Sequence, residues 1–191
     1  MSLKIPVFVS HITNLSDARY CAGMGVEMLG FCLDPLLPNH LSVNEYHAIR
    51  SWVAGVSIIA QFQTISPENI NLLHEAKPDM VMIENIPQIS IDIPMVYEIA
   101  LPQITDAKPP KGSMVLMNTT IHHRWDDDVV KFIHTYGNTY KLIFGGNIDL
   151  QNITYIISQN IYAINLQGTP EIAPGYKTFD TLADILEILE E

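Results

Sequence analysis

Short, almost unbroken apolar runs alternate along the chain with stretches of helical period. Runs of this kind read as parallel strands buried on both faces. The first spans 5–10 and ends in Ser10 and His11. A helix follows at 15–23, with Asn14 or Ser16 as N-cap and Gly25 past its end. The second strand is 27–34, and the helix at 42–53 opens on a capping box, Ser42 with Glu45. The third strand, 57–63, leads to a helix at 66–76 with Ser66 as N-cap and Pro67 at its first position. The fourth strand is 79–84.

The middle of the chain breaks this rhythm. Residues 85–94 carry two prolines and no helical period, and 102–112 read as a loop on the far side of a fifth strand at 95–101. Regularity then returns. A sixth strand at 113–118 precedes a helix at 125–137, with acids at its start and Gly137 at its end. The seventh strand is 140–147, the next helix 149–160, the eighth strand 162–168 and the closing helix 179–191. Eight buried strands joined mostly by helices predict an α/β fold, a (β/α)8 TIM barrel formed by a single domain over 1–191. The barrel is a short one, with helices four and five reduced or missing. A doubly wound open sheet is the alternative.

Composition narrows the function classes. Hydrophobic residues make up 48% and charged residues 16%, which argues for a packed globular domain rather than disorder. The net charge of −11, with only ten Lys and Arg, argues against a nucleic-acid partner. The apolar runs are too short to span a membrane, and the N-terminus lacks a secretory signal. Two lone cysteines, Cys21 and Cys32, do not make a disulfide framework, so the expected location is cytoplasmic. A homodimer stays open.

In a (β/α)8 barrel the chemistry sits where strands end and βα loops begin. The candidates are therefore Ser10, His11, Cys32, Asp34, Gln61, Gln63, Glu84, Glu98 and Asn118, with Gly145, Gly146, Asn147, Asn165, Gln167 and Gly168 at the last two strand ends. Ser10 and His11 do not make a nucleophile and base, because neighbouring strand residues point to opposite faces. The seven histidines, the adjacent His122 and His123 among them, show no metal-binding spacing, and Cys32 lies inside an apolar run as a buried, inert thiol. No metal and no cofactor is expected. "IFGGNIDLQNI" says more: two glycines open a helix, and Gly168 follows at the next strand end. Such turns admit a phosphate to backbone N–H groups. A small phosphorylated sugar-type ligand is the expected partner, held by Gly145, Gly146, Asn147, Gln167 and Gly168.

The stretch "FVSHITNLSDARYCAGMGVEMLGFCLDP" resembles the phosphoribosylanthranilate isomerase family, the (β/α)8 isomerases of tryptophan biosynthesis. Ile12, Thr13, Asp17, Ala18, Gly25, Gly30, Phe31 and Pro35 fit the family's frame. "LSVNEYHAI" matches its next helix, and "FGGNIDLQNI" and "NLQGTPEIAPGYK" resemble its phosphate loop and last strand. The resemblance implies an Amadori rearrangement of a phosphoribosylamine, an intramolecular oxidoreduction. A general acid protonates the furanose ring oxygen and a general base removes a proton from the neighbouring carbon.

Both catalytic positions are substituted here. The family's base, a cysteine, is Ser10, and the glycine after it is His11. The family's acid, an aspartate, is Asn118, and an arginine of the loop after strand two aligns with Asn39 or His40. A thiol titrates near ~8.5, whereas an unassisted hydroxyl does not ionise near neutrality and an amide has no acidic proton to give. The resemblance therefore implies an isomerase whose activity is weak, altered or absent. The alternative is a non-catalytic paralogue that binds a phosphorylated metabolite or a protein partner. Restored chemistry would need His11 as base and Glu84, Glu98 or Asp34 as acid.

Overall fold

The computed structural model describes residues 2–86, 91–100, 109–119, 127–167 and 180–191. Eight strands appear in chain order: β1 (Val7–Ser10), β2 (Met28–Cys32), β3 (Ser57–Phe62), β4 (Met80–Ile83), β5 (Met95–Ala100), β6 (Met114–Asn118), β7 (Lys141–Gly145) and β8 (Ala163–Gln167). Each pairs in parallel with the next, and β1 closes on β8 with Val7 opposite Ile164 and Ser10 opposite Gln167. The sheet is a closed barrel, as the apolar pattern predicts, and the open-sheet alternative is excluded. Among the described residues the helices are α1 (Leu15–Gly23), α2 (Val43–Arg50), α3 (Pro67–Ala76), α4 (Asp127–Tyr136), α5 (Ile153–Ile157) and α6 (Asp180–Leu189). No described residue between β4 and β5 or between β5 and β6 is helical, while 87–90 and 101–108 lie outside the described residues.

Local chemistry explains the helix starts. Asn14, not Ser16, caps α1 by accepting the Asp17 N–H at 2.9 Å. Ser42 and Glu45 form the full capping box of α2. Ser66 stands at the N-cap of α3 but makes no capping bond; its hydroxyl lies 2.6 Å from the Glu68 carboxylate instead. α5 is shorter than the sequence suggests. Asp149 accepts the N–H groups of Gln151 and Asn152, and this turn takes up the residues expected to be its first helical turn.

Alternation along each strand divides the core in two. Odd-facing residues such as Val7, Val9, Val115 and Met117 join the large cluster between barrel and helices. The inner cluster takes one residue from every strand: Phe8, Met28, Ile59, Met82, Val96, Leu116, Ile143 and Ala163. Gly30, the next inward position of β2 after Met28, has to be a glycine. A Cβ there would lie 2.6 Å from the Gln61 Oε1 and 2.8 Å from the Phe8 ring. Phe8 is fully buried and Gln61 is hydrogen-bonded in place, so neither yields freely. Gly30→Ala is expected to destabilise the fold by about 1–3 kcal/mol through overpacking. Urea unfolding of the two proteins side by side measures this, and equal midpoints would contradict it.

Candidate functional site

Two residues beyond the inner cluster, each strand presents its next inward position at the barrel mouth. These are Ser10, Gly30, Gln61, Glu84, Glu98, Asn118, Gly145 and Asn165. One pleat therefore separates an apolar plug from a ring of hydroxyl, amide and carboxyl groups. Seven of the residues singled out from the sequence meet here, and the sequence pattern alone did not show that they share one face.

Ser10 is buried, and its hydroxyl lies 3.4 Å from both the Asn165 Oδ1 and the Leu166 carbonyl. Asn165 in turn donates to the Phe8 and Leu166 carbonyls at 3.2 Å. These bonds tie the β1–β8 seam. The chain then turns sharply: His11 has φ 58°, a left-handed conformation that a non-glycine residue adopts at a cost of ~1–2 kcal/mol. The His11 N–H donates to the Gln61 Oε1 at 2.9 Å. Its ring keeps an exposed edge, but desolvation holds its pKa below 6.5, opposed by the negative charge of Glu84. The imidazole is therefore neutral at pH 7.

Across the mouth, the Asn118 amide donates to the Glu98 Oε1 at 2.8 Å. Burial pushes the Glu98 carboxyl above its ordinary range; the Asn118 bond opposes this and the Glu84 charge adds to it. Glu84 itself is exposed and meets the Gln63 side-chain amide at 3.4 Å. The two carboxylate oxygens of Asp34 accept the Leu36 and Gln63 backbone N–H groups, both at 3.0 Å, and so tie the β2 loop to the end of β3. Desolvation raises the pKa of the buried Cys32 thiol, which fits the inert reading. Asn39 and His40 are exposed on the loop after β2.

Beside the ring a cavity of about 450 Å³ opens between the ends of β6, β7 and β8 and α6. Asn118, Gly146, Asn147, Asn165 and Gln167 line its polar side, with Leu182 and Ile185 on the other. Five of the sequence candidates thus share one cavity, with Gly145 adjoining. Gly168 and the His122–His123 pair lie outside the described residues. The sequence reading missed Thr119, whose hydroxyl occupies the space a Gly146 side chain would need. That space, rather than a left-handed turn, accounts for glycine at 146. The apolar wall from α6 was also missed, because no local pattern marks which helix face meets a strand end. Among the described residues no group of three or more His, Cys, Asp or Glu is placed to hold a metal, and no helix is long and apolar enough to cross a membrane.

No family model matches this sequence, and no curated protein matches it. Solved structures do match. A phosphoribosylanthranilate isomerase in complex with reduced 1-(o-carboxyphenylamino)-1-deoxyribulose 5-phosphate superposes with a TM-score of 0.76 at 17% identity, over 96% of this chain and 97% of that one. The phosphoribosylanthranilate isomerase of Thermus thermophilus gives 0.74 at 20% identity, with 96% and 97% covered. The 3-keto-L-gulonate-6-phosphate decarboxylase of Vibrio cholerae gives 0.61 at 13% identity over the whole of both chains. At these identities the likeness is one of fold, and isomerases and a decarboxylase share it.

The raised Glu98 pKa has a consequence for stability. The folded state holds this proton more tightly than the unfolded chain, so ionisation penalises folding. Relative to Glu98→Gln, wild-type stability should fall as pH rises from 4.5 through the raised value and then stay level. His11 carries the opposite sign: its contribution is lost as pH falls below 6.5. Urea unfolding of wild type and Glu98→Gln between pH 4 and 8 is the measurement. A difference that does not change with pH would contradict the assignment.

Proposed function

We propose that this chain is a phosphoribosylanthranilate isomerase-like barrel whose mouth binds a small phosphorylated sugar-type ligand, with isomerase activity weak, altered or absent. The observation that carries the reading is the convergence of Asn118, Gly146, Asn147 and Gln167 on one cavity beside the polar ring. Backbone N–H groups at glycine-opened loops suit a phosphate, and the ring amides suit sugar oxygens. The fold likeness to enzymes whose names specify phosphorylated substrates or ligands points the same way.

The proton transfers of the Amadori reaction find little support in the side chains at the two substituted positions. The hydroxyl of Ser10 faces acceptors, Asn165 Oδ1 and the Leu166 carbonyl, so its proton is directed into the seam and not toward a base. Asn118 can orient a ligand oxygen but cannot protonate one. Each missing general acid or base is worth about 10²- to 10⁴-fold in rate. A second reading, residual isomerisation through substitutes, rests on one specific arrangement. His11, its pKa held below 6.5 by desolvation, follows β1, and Glu98, its carboxyl pushed above the ordinary range by burial, stands on β5, on opposite walls of the same mouth. In that reading His11 takes the carbon proton and Glu98 supplies the one to the ring oxygen.

Turnover of phosphoribosylanthranilate, followed by anthranilate fluorescence, separates these readings. Wild type is expected to show little or none. Ser10→Cys, His11→Gly and Asn118→Asp combined should raise it, since the new aspartate would stand beside Glu98, where paired carboxyls share a proton and one pKa rises. Robust wild-type turnover that His11→Ala abolishes would overturn the first reading in favour of the second. Binding is tested separately. Millimolar inorganic phosphate should shift the backbone amide signals of Gly146, Asn147 and Gln167 in NMR spectra; unmoved signals would count against the ligand site.

A further inference from the structure

We infer that the mouth is selective for a neutral, hydroxyl-bearing head group and rejects a ligand carboxylate, with Gln61 as a hydroxyl-binding donor and Glu98 as the residue that sets the preference. This rests on the reading that the mouth binds a phosphorylated small molecule, and it names the chemical class of the part that is not phosphate.

Gln61 is the first ground. It is 2% exposed, lies on the inward face of β3, and crosses over Gly30 so that its Oε1 can accept the His11 N–H. That bond fixes which way the amide points. Its Nε2 is left buried with no acceptor. A buried donor without a partner is costly, and natural structures retain one mainly where something else completes it. What completes this one is an oxygen acceptor reaching into the mouth.

The second ground is charge. Glu98 and Glu84 both stand on the β4–β5 side of the mouth, and Glu84 acts electrostatically on Glu98 and on His11 alike. Asn118 occupies the Glu98 Oε1, which leaves Oε2 for a ligand group. Among the described residues, no Lys or Arg stands at the C-terminal end of a strand. Lys111 and Lys141 lie at the opposite end of the barrel, where β6 and β7 begin, and Arg50 and Lys77 close α2 and α3. A carboxylate entering here would meet the exposed Glu84 and the half-buried Glu98, with no cation among the described strand ends to offset them. A hydroxyl both donates and accepts, so it suits the Gln61 Nε2 on one side and the Glu98 Oε2 on the other.

The likeness to an isomerase bound to a carboxyphenylamino sugar phosphate supplies the comparison ligand. Calorimetric titration of the full chain with D-ribulose 5-phosphate and with reduced 1-(o-carboxyphenylamino)-1-deoxyribulose 5-phosphate, at pH 7.5, is the experiment. Ribulose 5-phosphate is expected to bind at least about tenfold tighter, a difference of ~1.4 kcal/mol. Glu98→Gln should narrow that ratio by improving the carboxylate ligand. Glu84→Gln, at an exposed position, should narrow it in part and serves if Glu98→Gln fails to fold. Equal or tighter binding of the carboxylate ligand to wild type, or a ratio that neither variant changes, would overturn this inference while leaving the ligand-site reading in place. Binding of neither ligand would overturn both.

Discussion

Closure of the sheet is the constraint on which the rest depends. With Val7 opposite Ile164 and Ser10 opposite Gln167, β1 and β8 have a single register, and every strand is committed to one inward face. A one-residue slip would put Val9 where Phe8 now plugs the barrel and turn Ser10 toward the helices. Closure therefore does two things together. It gathers one apolar residue per strand into the interior, and it lifts the next inward position of each strand into the mouth. The Ser10–Asn165 contact lies in that closing seam, so the residue at the resemblance's base position also holds the barrel together.

The resemblance assigns proton-transfer roles to positions that here carry hydrogen-bonding groups. Where the resemblance places a cysteine and an aspartate, Ser10 and Asn118 carry a hydroxyl and an amide, which hydrogen-bond but do not titrate in the range of a thiol or a carboxyl. Among the described residues the acids at the mouth are Glu84, just past β4, and Glu98 on β5, where the resemblance assigns no catalyst. His11 stays in the left-handed conformation that a glycine would adopt freely, which marks the bend after β1 as a feature of the backbone rather than of the side chain.

Much of the fold was legible in the sequence because its signals are local. The strand runs and the Ser42–Glu45 capping box each follow from residues a few positions apart. Asn14 capping α1 over Ser16, and the turn at Asp149 that shortens α5, hinge on which side-chain bond wins among near equals. The candidate site was legible in part. Strand ends could be listed, and Asn118, Gly146, Asn147 and Gln167 do share a cavity. The commitment of Asp34 to two loop N–H groups, the Gln61 bridge over Gly30 and the Thr119–Gly146 contact join residues far apart in sequence, and no periodicity encodes them.

If the mouth and the cavity beside it form one ligand site, a crystal structure of the chain with D-ribulose 5-phosphate should show it. The phosphate is expected against the backbone N–H groups of Gly146, Asn147 and Gln167, with a sugar oxygen within hydrogen-bonding distance of the Gln61 Nε2. A phosphate bound elsewhere on the surface, or a sugar in the mouth that leaves the Gln61 Nε2 unpaired, would contradict it.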